Sequence, residues 1–259
     1  MIYVMSDIHG NSRRFHSVLE QINLKPEDTL YILGDVVDRY PDGIKLLQEI
    51  MKMPNVKMLL GNHEYMMLNV MAEFKYDEVD WYVSNWADLR RLWFSNGGRV
   101  TYNALKLLTP EEYGEVHRFL KSLPIRFDIE LNGVKYRMTH AAPTEDYEEY
   151  QLWYDSEVEY TVWKRWKKTD PTPEDYVLIS GHTPTINYQE VNPLKIWYGN
   201  NMIDIDCGAG FPVDQASHRT YYYGRLACLR LDDMKEFYSE ETSEKESDEN
   251  EEADDSSRN

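Results

Sequence analysis

Cysteine is scarce in this chain, long apolar runs are missing, and basic residues are heavily outnumbered by acidic ones. The two cysteines, Cys207 and Cys228, are too few for a disulfide framework, so a reducing, cytoplasmic setting is expected. No stretch approaches the roughly 18 consecutive apolar residues of a membrane span, and no signal-peptide pattern is found. A membrane partner is therefore not expected. The formal net charge of −18 argues against binding of nucleic-acid duplexes, which requires a basic surface.

The end of the sequence is strongly acidic. Residues 239–259 contain ten acidic and two basic residues, which is a net −8 of the total −18. Their largest apolar side chain is that of Ala253, so this segment cannot bury enough surface to offset the entropy lost on ordering. We expect a disordered tail over 239–259, either a plain solvating appendage or a regulatory segment. It would follow a single domain over residues 1–238.

Short apolar runs alternate with amphipathic stretches in the first part of the chain. Runs at Ile2–Met5, Leu30–Leu33 and Val56–Leu60 predict buried strands, and helical spacing predicts helices over Arg13–Ile22 and Ile44–Ile50. This β-α-β-α-β order predicts a parallel sheet with right-handed crossovers. A mostly helical insertion is expected over about residues 65–124. Further strands are expected at Ile125–Leu131, Val134–Thr139, Tyr176–Ser180, Met202–Asp206 and Leu226–Leu231.

Reactive polar side chains recur at the ends of these predicted strands. They are Asp7, His9, Asp35, Asp38, Arg39, Asn62, His63, His140 and His182. Loops beyond the carboxyl ends of the strands of an open α/β sheet converge on one crevice, so these side chains are expected to meet. Carboxylates, an amide oxygen and imidazoles are ligands suited to divalent first-row metals rather than to calcium. Two such ions about 3.5–4 Å apart are a common arrangement for the hydrolysis of phosphate esters.

Each motif has a simpler explanation when it is taken alone. The Asp7 motif could be a solvated loop or a helix cap, and the Gly-Asp-x-x-Asp-Arg motif could be a turn with a surface ion pair. Asn62 could begin a helix as its N-cap, and His140 or His182 could be a hydrogen-bonded core histidine. The conjunction of all these motifs at the same ends of predicted strands favours a metal centre.

Five motifs together resemble the signature of the calcineurin-like metallophosphoesterases: Asp7-Ile8-His9-Gly10, Gly34-Asp35-Val36-Val37-Asp38-Arg39, Gly61-Asn62-His63-Glu64, His140 and Gly181-His182-Thr183. Within that family the sequence is most similar to the phosphoprotein phosphatase branch, and there to the serine/threonine protein phosphatases of bacteria and bacteriophage lambda. The segments Trp93–Gly98, Val162–Arg165 and Ile203–Ala209 also resemble that group. The symmetrical dinucleoside tetraphosphatases share most of the same metal motifs.

The resemblance implies a fold and a cofactor. The implied fold is α/β (α+β), with two mixed β-sheets packed face to face and flanked by helices in an αββα sandwich. The implied cofactor is a pair of divalent metal ions, with manganese favoured and iron or zinc as alternatives. The implied ligands are Asp7, His9 and Asp35 for one ion, and Asp35, Asn62, His140 and His182 for the other.

The expected reaction is direct attack of a metal-bridging hydroxide on phosphorus, without a phospho-enzyme. His63 would protonate the leaving oxygen, and Asp38 would orient its imidazole. Arg39 and Arg165 would bind the phosphate through their planar guanidinium groups, together with the amide of Asn62. Alternatively, Asp38 could serve only as the ion-pair partner of Arg39, and Arg165 could stack on its neighbouring tryptophans.

The substrate class favoured by these motifs is phosphoserine or phosphothreonine in proteins or peptides. The alternative is a symmetrical dinucleoside tetraphosphatase (a diadenosine tetraphosphate hydrolase), or a related hydrolase of nucleotide polyphosphates or RNA caps. A third alternative, from outside the enzymes, is a metal-binding scaffold. This alternative is disfavoured because every expected metal ligand, the expected acid and both arginines are present.

Overall fold

The computed structural model describes residues 1–72, 86–211 and 224–239 of the chain. Residues 73–85 of the predicted insertion and residues 240–259 of the predicted tail lie outside the described residues. Ser239, with which the predicted tail begins, is buried. Its backbone N–H donates to the carbonyl oxygen of Leu226 at 2.9 Å, and its Oγ accepts from the N–H of Leu226 at 2.9 Å. Ser239 therefore packs as part of the domain and does not begin the tail.

The first sheet contains five strands in the order β10-β9-β1-β2-β3. Strands β1 (Ile2–Met5), β2 (Thr29–Ile32) and β3 (Val56–Met58) run parallel, as the sequence predicts. Strand β9 (Ala227–Arg230) pairs antiparallel with β1, and β10 (Lys235–Tyr238) pairs antiparallel with β9. The sheet is therefore mixed.

The second sheet also contains five strands, in the order β4-β5-β6-β8-β7. Strands β4 (Arg126–Leu131) and β5 (Val134–Thr139) form a hairpin, and β6 (Val177–Ser180) runs parallel to β5. Strand β8 (Met202–Asp204) runs parallel to β6, and β7 (Trp197–Gly199) pairs antiparallel with β8. Both sheets thus combine parallel and antiparallel pairs, as the resemblance implies.

Eight α-helices lie within the described residues. They are α1 (Ser12–Ile22), α2 (Gly43–Ile50), α3 (Asn62–Ala72), α4 (Trp86–Ser95), α5 (Arg99–Leu105), α6 (Pro110–Ser122), α7 (Tyr147–Tyr150) and α8 (Glu157–Trp163). Helices α3 to α6 belong to the predicted insertion, which begins three residues earlier than expected because α3 starts at Asn62. The N–H of Leu60 donates to the carbonyl oxygen of Pro124 at 2.9 Å, so the two ends of this insertion meet.

Strand β1 separates two hydrophobic clusters. Tyr3 and Met5 pack in a cluster with Phe15 of α1 and Leu47 of α2. Val4 points to the opposite face, where it packs with residues of the second sheet. This alternation follows from the two-residue period of side chains along a strand. One face of the first sheet is therefore covered by helices, and the other face packs against the second sheet.

The second sheet divides in the same way. Met138 and Ile179 join Val4 in the cluster between the two sheets. Leu178 lies on the outer face, where it packs with Trp166. Two mixed sheets therefore face each other with further structure on both outer faces, which confirms the expected sandwich architecture.

The sequence did not predict β7 or β10, which are edge strands of three and four residues. Several predicted strands also extended too far, because Leu59, Leu60, Ile205 and Asp206 lie beyond the paired ladders. Cys207 and Cys228 are both buried and free. Among the described helices, none combines the length and the apolar character needed to cross a lipid bilayer.

Candidate functional site

The predicted metal ligands converge where strands of both sheets end. Asp7 and Asp35 follow β1 and β2, Asn62 begins α3 after β3, and His140 and His182 follow β5 and β6. All six predicted ligands, with His9 included, are at most 6% exposed. Backbone hydrogen bonds link neighbouring loops, since the N–H of Asp7 donates to the carbonyl of Gly34 at 3.1 Å. Burial of so many polar side chains in one place requires that they be paired or bind a cation.

Asp35 lies at the centre of the cluster. Its Oδ2 is 3.9 Å from Nε2 of His9, 3.8 Å from Nε2 of His63 and 3.5 Å from Nε2 of His140. Its Oδ1 accepts a hydrogen bond from the backbone N–H of His63 at 2.9 Å, which fixes the carboxylate. His9, Asp35 and His63 offer atoms within 4.8 Å of one another, and so do Asp35, His140 and His182. The same carboxylate therefore belongs to two potential metal clusters.

The second cluster has the spacing of ligands around one ion. Oδ1 of Asn62 is 3.0 Å from Nε2 of His140 and 2.9 Å from Nδ1 of His182. Ligand atoms about 2.1 Å from a shared ion are about 3.0–3.4 Å apart in octahedral or tetrahedral geometry. The separations of 2.9, 3.0 and 3.5 Å agree with this range to about 0.1 Å. Asp35, Asn62, His140 and His182 thus fit one divalent cation.

Asp7, the remaining predicted ligand, lies beside His9, but the first potential metal cluster contains His63 in its place. Oδ2 of Asp7 accepts hydrogen bonds from the Ser6 hydroxyl at 2.5 Å and from the N–H of His182 at 3.0 Å. Oδ1 of Asp7 then lies 3.8 Å from Nε2 of His9. One carboxylate oxygen is fixed by the protein, and the other faces the imidazole and is available to a cation.

Hydrogen bonds to the remaining ring nitrogens orient the three histidines. Nδ1 of His9 is 3.3 Å from the carbonyl of Val37, and Nδ1 of His140 is 2.8 Å from that of Leu33. For His182 the contact is made by Nε2, which is 3.2 Å from the carbonyl of Trp163. A carbonyl accepts, so each of these nitrogens carries the proton. The other nitrogen of each ring faces the carboxylate and amide oxygens of the cluster, where a bound cation would take it as a ligand.

The site has an excess of buried negative charge. The buried carboxylates at or beside it belong to Asp7, Asp35, Asp38, Glu64, Asp204 and Asp206. Burial raises the pKa of Asp7, with a further rise from the charge of Asp35. Burial and the charge of Asp7 raise the pKa of Asp206 to about 8. Cations bound here would relieve this repulsion and stabilise the ionised carboxylates.

The histidine pKa values respond to the same environment. Burial, together with the charges of Arg39 and His63, holds the pKa of His9 well below its ordinary value. Burial and the charge of His140 do the same for His182. For His140 burial is opposed and outweighed by Asp35, whose charge raises the pKa to about 9. Two of the three candidate imidazoles are thus held neutral, as metal binding requires.

The backbone is strained at the site. Six non-glycine residues there have φ between 53° and 73°, a region that non-glycine residues seldom adopt: Asp7, His9, Asp35, Asp38, Arg39 and His182. They account for more than half of the eleven such residues in the described part of the chain. The surrounding structure holds these side chains in directions that relaxed loops would not give them, which is typical of functional sites.

The expected acid and arginines lie beside the ligands. Nδ1 of His63 is 2.6 Å from Oδ2 of Asp38, and its Nε2 faces Asp35. Burial opposes charging of His63, but the carboxylates of Asp35 and Asp38 outweigh it and raise the pKa of His63. A methyl group built on Gly210 would be 2.6 Å from Nη1 of Arg39. The exposed Arg39 side chain therefore lies close against the backbone at Gly210.

Arg165 is exposed at the edge of the site, and its Nη1 donates to the carbonyl of His182 at 3.1 Å. The positions of the two neighbouring tryptophans do not favour stacking of Arg165 on their rings. Trp166 packs its ring against Tyr188 and Trp197, with centroids 5.9 and 5.7 Å apart, on the outer face of the second sheet. Trp163 lies edge-on to the His182 ring at 6.1 Å. Arg165 is therefore available at the rim of the candidate metal centre.

Glu64 is a residue of the site to which the sequence analysis gave no role. Its fully buried carboxylate accepts backbone N–H groups of Asp35 at 2.7 Å, Val36 at 2.8 Å, Gly61 at 3.1 Å and Val37 at 3.2 Å. Burial and the charge of Asp35 raise its pKa to about 7. Glu64 thus joins the loop after β2 to the start of α3. The sequence signal for such a role was the position of Glu64 directly after His63 in the Gly-Asn-His-Glu motif.

We expect Glu64→Gln to destabilise the fold by about 2–4 kcal/mol, because an amide NH₂ would face backbone N–H donors that the carboxylate now satisfies. Urea unfolding of the two proteins measures this difference. Glu130→Gln, at an exposed position of β4, is the matched control and should change stability by no more than about 0.5 kcal/mol. A Glu64→Gln protein as stable as the control would contradict a structural role for this carboxylate.

Comparison with known proteins identifies relatives. Residues 1–210 match the family described as calcineurin-like phosphoesterase. A symmetrical bis(5'-nucleosyl)-tetraphosphatase of Photorhabdus laumondii is 39% identical over 72 residues, which are 27% of this chain and 26% of that protein. The enzyme of the same name from Wigglesworthia glossinidia brevipalpis is 40% identical over 75 residues, or 28% of each chain. The chain thus spans about a quarter of the length of these relatives.

Solved structures share the fold at low sequence identity. A structure provisionally described as a diadenosine tetraphosphatase has a TM-score of 0.54 and 19% identity, and the match covers 92% of this chain and 91% of that one. The cold-active protein-tyrosine phosphatase of a psychrophilic Shewanella species has a TM-score of 0.51 and 18% identity, with 92% and 80% covered. These likenesses concern the fold alone.

Proposed function

The chain belongs to the calcineurin-like phosphoesterase family, and from this premise we propose that it is a metal-dependent hydrolase that cleaves dinucleoside tetraphosphates symmetrically. The observation that carries the proposal is the buried pair of clusters that share the Asp35 carboxylate. The identity of about 39% with symmetrical tetraphosphatases supports the nucleotide substrate over the phosphoserine or phosphothreonine proteins favoured by the motifs alone.

Bound divalent cations would supply charge neutralisation and Lewis-acid activation of water. Asp7, His9 and Asp35 would hold one cation, since Nε2 of His9 lies 3.8 Å from Oδ1 of Asp7 and 3.9 Å from Oδ2 of Asp35. Asp35 with Asn62, His140 and His182 would hold the other. Manganese is the proposed ion, with iron or zinc as alternatives, because carboxylate, amide and imidazole ligands suit these metals.

The remaining residues of the site act on the phosphate chain of the substrate. Arg39 and Arg165 bind the phosphate oxygens through their guanidinium groups, together with the amide of Asn62, and hold the reacting phosphorus in place. His63 donates a proton from Nε2 to the oxygen that leaves as the P–O bond breaks. Asp38 accepts a hydrogen bond from Nδ1 and keeps the imidazolium correctly oriented.

The proposal predicts which products are formed. The purified protein with added Mn²⁺ should hydrolyse diadenosine tetraphosphate to ADP alone, because symmetrical cleavage divides the four phosphates equally. Chromatography of the nucleotides measures this, with a phosphothreonine peptide assayed in parallel for inorganic phosphate. Release of ATP and AMP would contradict symmetrical cleavage. Turnover of the peptide alone would reverse the substrate assignment, and turnover of neither would favour the scaffold.

A further inference from the structure

Asp38 receives two side-chain hydrogen bonds on one oxygen. Nδ1 of His63 is 2.6 Å from Oδ2, and the indole N–H of Trp93 donates to the same atom at 2.7 Å. The other oxygen, Oδ1, is buried and has no hydrogen-bond partner among the described residues. The orientation of this carboxylate therefore depends on the two side-chain contacts at Oδ2.

Trp93 is placed for this contact by the chain around it. The side chain is completely buried and lies edge-on to Tyr102, with ring centroids 6.2 Å apart. A methyl group on Gly98 would be 2.3 Å from Nε1 of Trp93, so only glycine lets the backbone pass so close to the indole. The N–H of Gly98 also donates to the carbonyl of Trp93 at 3.0 Å.

The same part of the insertion holds the backbone beside Asp38. Oγ1 of Thr101 accepts the backbone N–H of Asp38 at 3.0 Å, and the carbonyl of Gly97 accepts the N–H of Arg39 at 3.2 Å. Asp38 and Arg39 have φ of 73° and 68°, so their strained conformation needs such support. Residues 93–101 thus contact the side chain of Asp38 and the backbone of both residues.

We propose that Trp93 is a positioning residue for proton donation: its indole N–H fixes the Asp38 carboxylate, which in turn aims His63 at the leaving oxygen. This inference rests on the proposed role of His63 as the acid in phosphoester hydrolysis. Loss of the indole N–H removes a hydrogen bond to a charged group. The Asp38 carboxylate can then rotate and exchange the positions of its two oxygens, because Oδ1 has no hydrogen bond to hold it. The effect should grow with the basicity of the leaving oxygen, because a more basic oxygen depends more on protonation.

Trp93→Phe keeps an aromatic ring in the core while it removes the N–H donor together with part of the buried ring volume. We expect turnover of phenyl phosphate to fall by about 10- to 100-fold, the equivalent of one hydrogen bond to a charged group, and turnover of p-nitrophenyl phosphate to change less than about threefold. The second substrate also reports whether the variant is folded and loaded with metal. Trp197→Phe, in a ring cluster with Tyr188 on the outer face of the second sheet, is the matched control and should leave both rates unchanged.

Two further variants separate this inference from the proposed function. With His63→Gln already present, Trp93→Phe should cause no additional loss, because the proton donor through which it acts is gone. Equal losses on both substrates with Trp93→Phe, or an undiminished effect in the double variant, would show a general structural role and overturn the inference. A His63→Gln protein without leaving-group selectivity would instead overturn the proposed acid.

The contact also has a readout that does not require turnover. In protein labelled with ¹⁵N at the indole nitrogens, the Trp93 N–H resonance should move when Asp38 is replaced by asparagine, whereas the Trp197 resonance should stay in place. The Nδ1–H resonance of His63 should likewise shift in Trp93→Phe. Unchanged resonances in both experiments would contradict the chain of hydrogen bonds from Trp93 to His63.

Discussion

Replacement of His63 by glutamine should slow hydrolysis of phenyl phosphate by about 10²- to 10⁴-fold, the usual contribution of a positioned general acid. The loss with p-nitrophenyl phosphate should be much smaller, because its leaving oxygen is weakly basic and departs without a proton. Glutamine retains a polar side chain of similar length but cannot transfer a proton. Steady-state rates for the two substrates under saturating Mn²⁺ measure the difference.

The control for this variant is His16→Gln, at an exposed histidine of α1 that contacts Glu49 at 3.1 Å. It should leave both rates unchanged. Asp38→Asn should show the same leaving-group selectivity as the His63 variant in weaker form, since it removes the group that orients the imidazole. Equal losses on the two substrates with His63→Gln would exclude His63 as the general acid.

Replacement of Asp35 by asparagine should reduce hydrolysis of every substrate by about 10³-fold or more, because several kcal/mol of transition-state stabilisation depend on bound cations. Oδ2 of Asp35 lies within 4 Å of three imidazoles, so its charge serves both clusters. The variant should also retain fewer metal ions after dialysis. Metal analysis by mass spectrometry and activity across a Mn²⁺ titration measure the two effects.

Asp233→Asn is the control, since this exposed aspartate pairs with Arg230 at 2.7 Å away from the candidate site. It should keep its activity and its metal content. The unaltered protein should lose activity when stripped by a chelator and regain it when Mn²⁺ is added. Full activity in a rigorously metal-free sample, or normal metal content in Asp35→Asn, would refute the proposed metal centre.

The strand–loop motifs made the candidate site predictable from sequence. Each predicted ligand follows a buried strand, and loops at the carboxyl ends of strands converge, so the sequence grouped Asp7, Asp35, Asn62, His140 and His182 in one place. It did not indicate that the first three follow strands of one sheet and the two histidines strands of the other. Asn62 illustrates how two explanations can both hold. It begins α3, as the simpler interpretation allowed, and its side-chain oxygen still faces the two histidines.

Other features depended on tertiary contacts that leave no local pattern. Trp93 lies 55 residues from Asp38 in the sequence, within a region where aromatic residues are common, and no spacing indicates which indole reaches a carboxylate. The four backbone N–H contacts of Glu64 could likewise not be predicted, because they depend on how the loop after β2 meets the start of α3. Strands β7 and β10 are only three and four residues long, too short to show a clear period, and their pairing is decided by neighbouring strands.

The two buried thiols have a practical consequence. Burial raises the pKa of both Cys207 and Cys228, so neither is expected to react with maleimides under native conditions. They are also the only cysteines in the sequence. A single cysteine introduced at Leu152, whose side chain is 89% exposed, could therefore be labelled selectively with a fluorophore. The two native cysteines should therefore contribute little labelling of their own when ligand binding is measured by the fluorescence of this label.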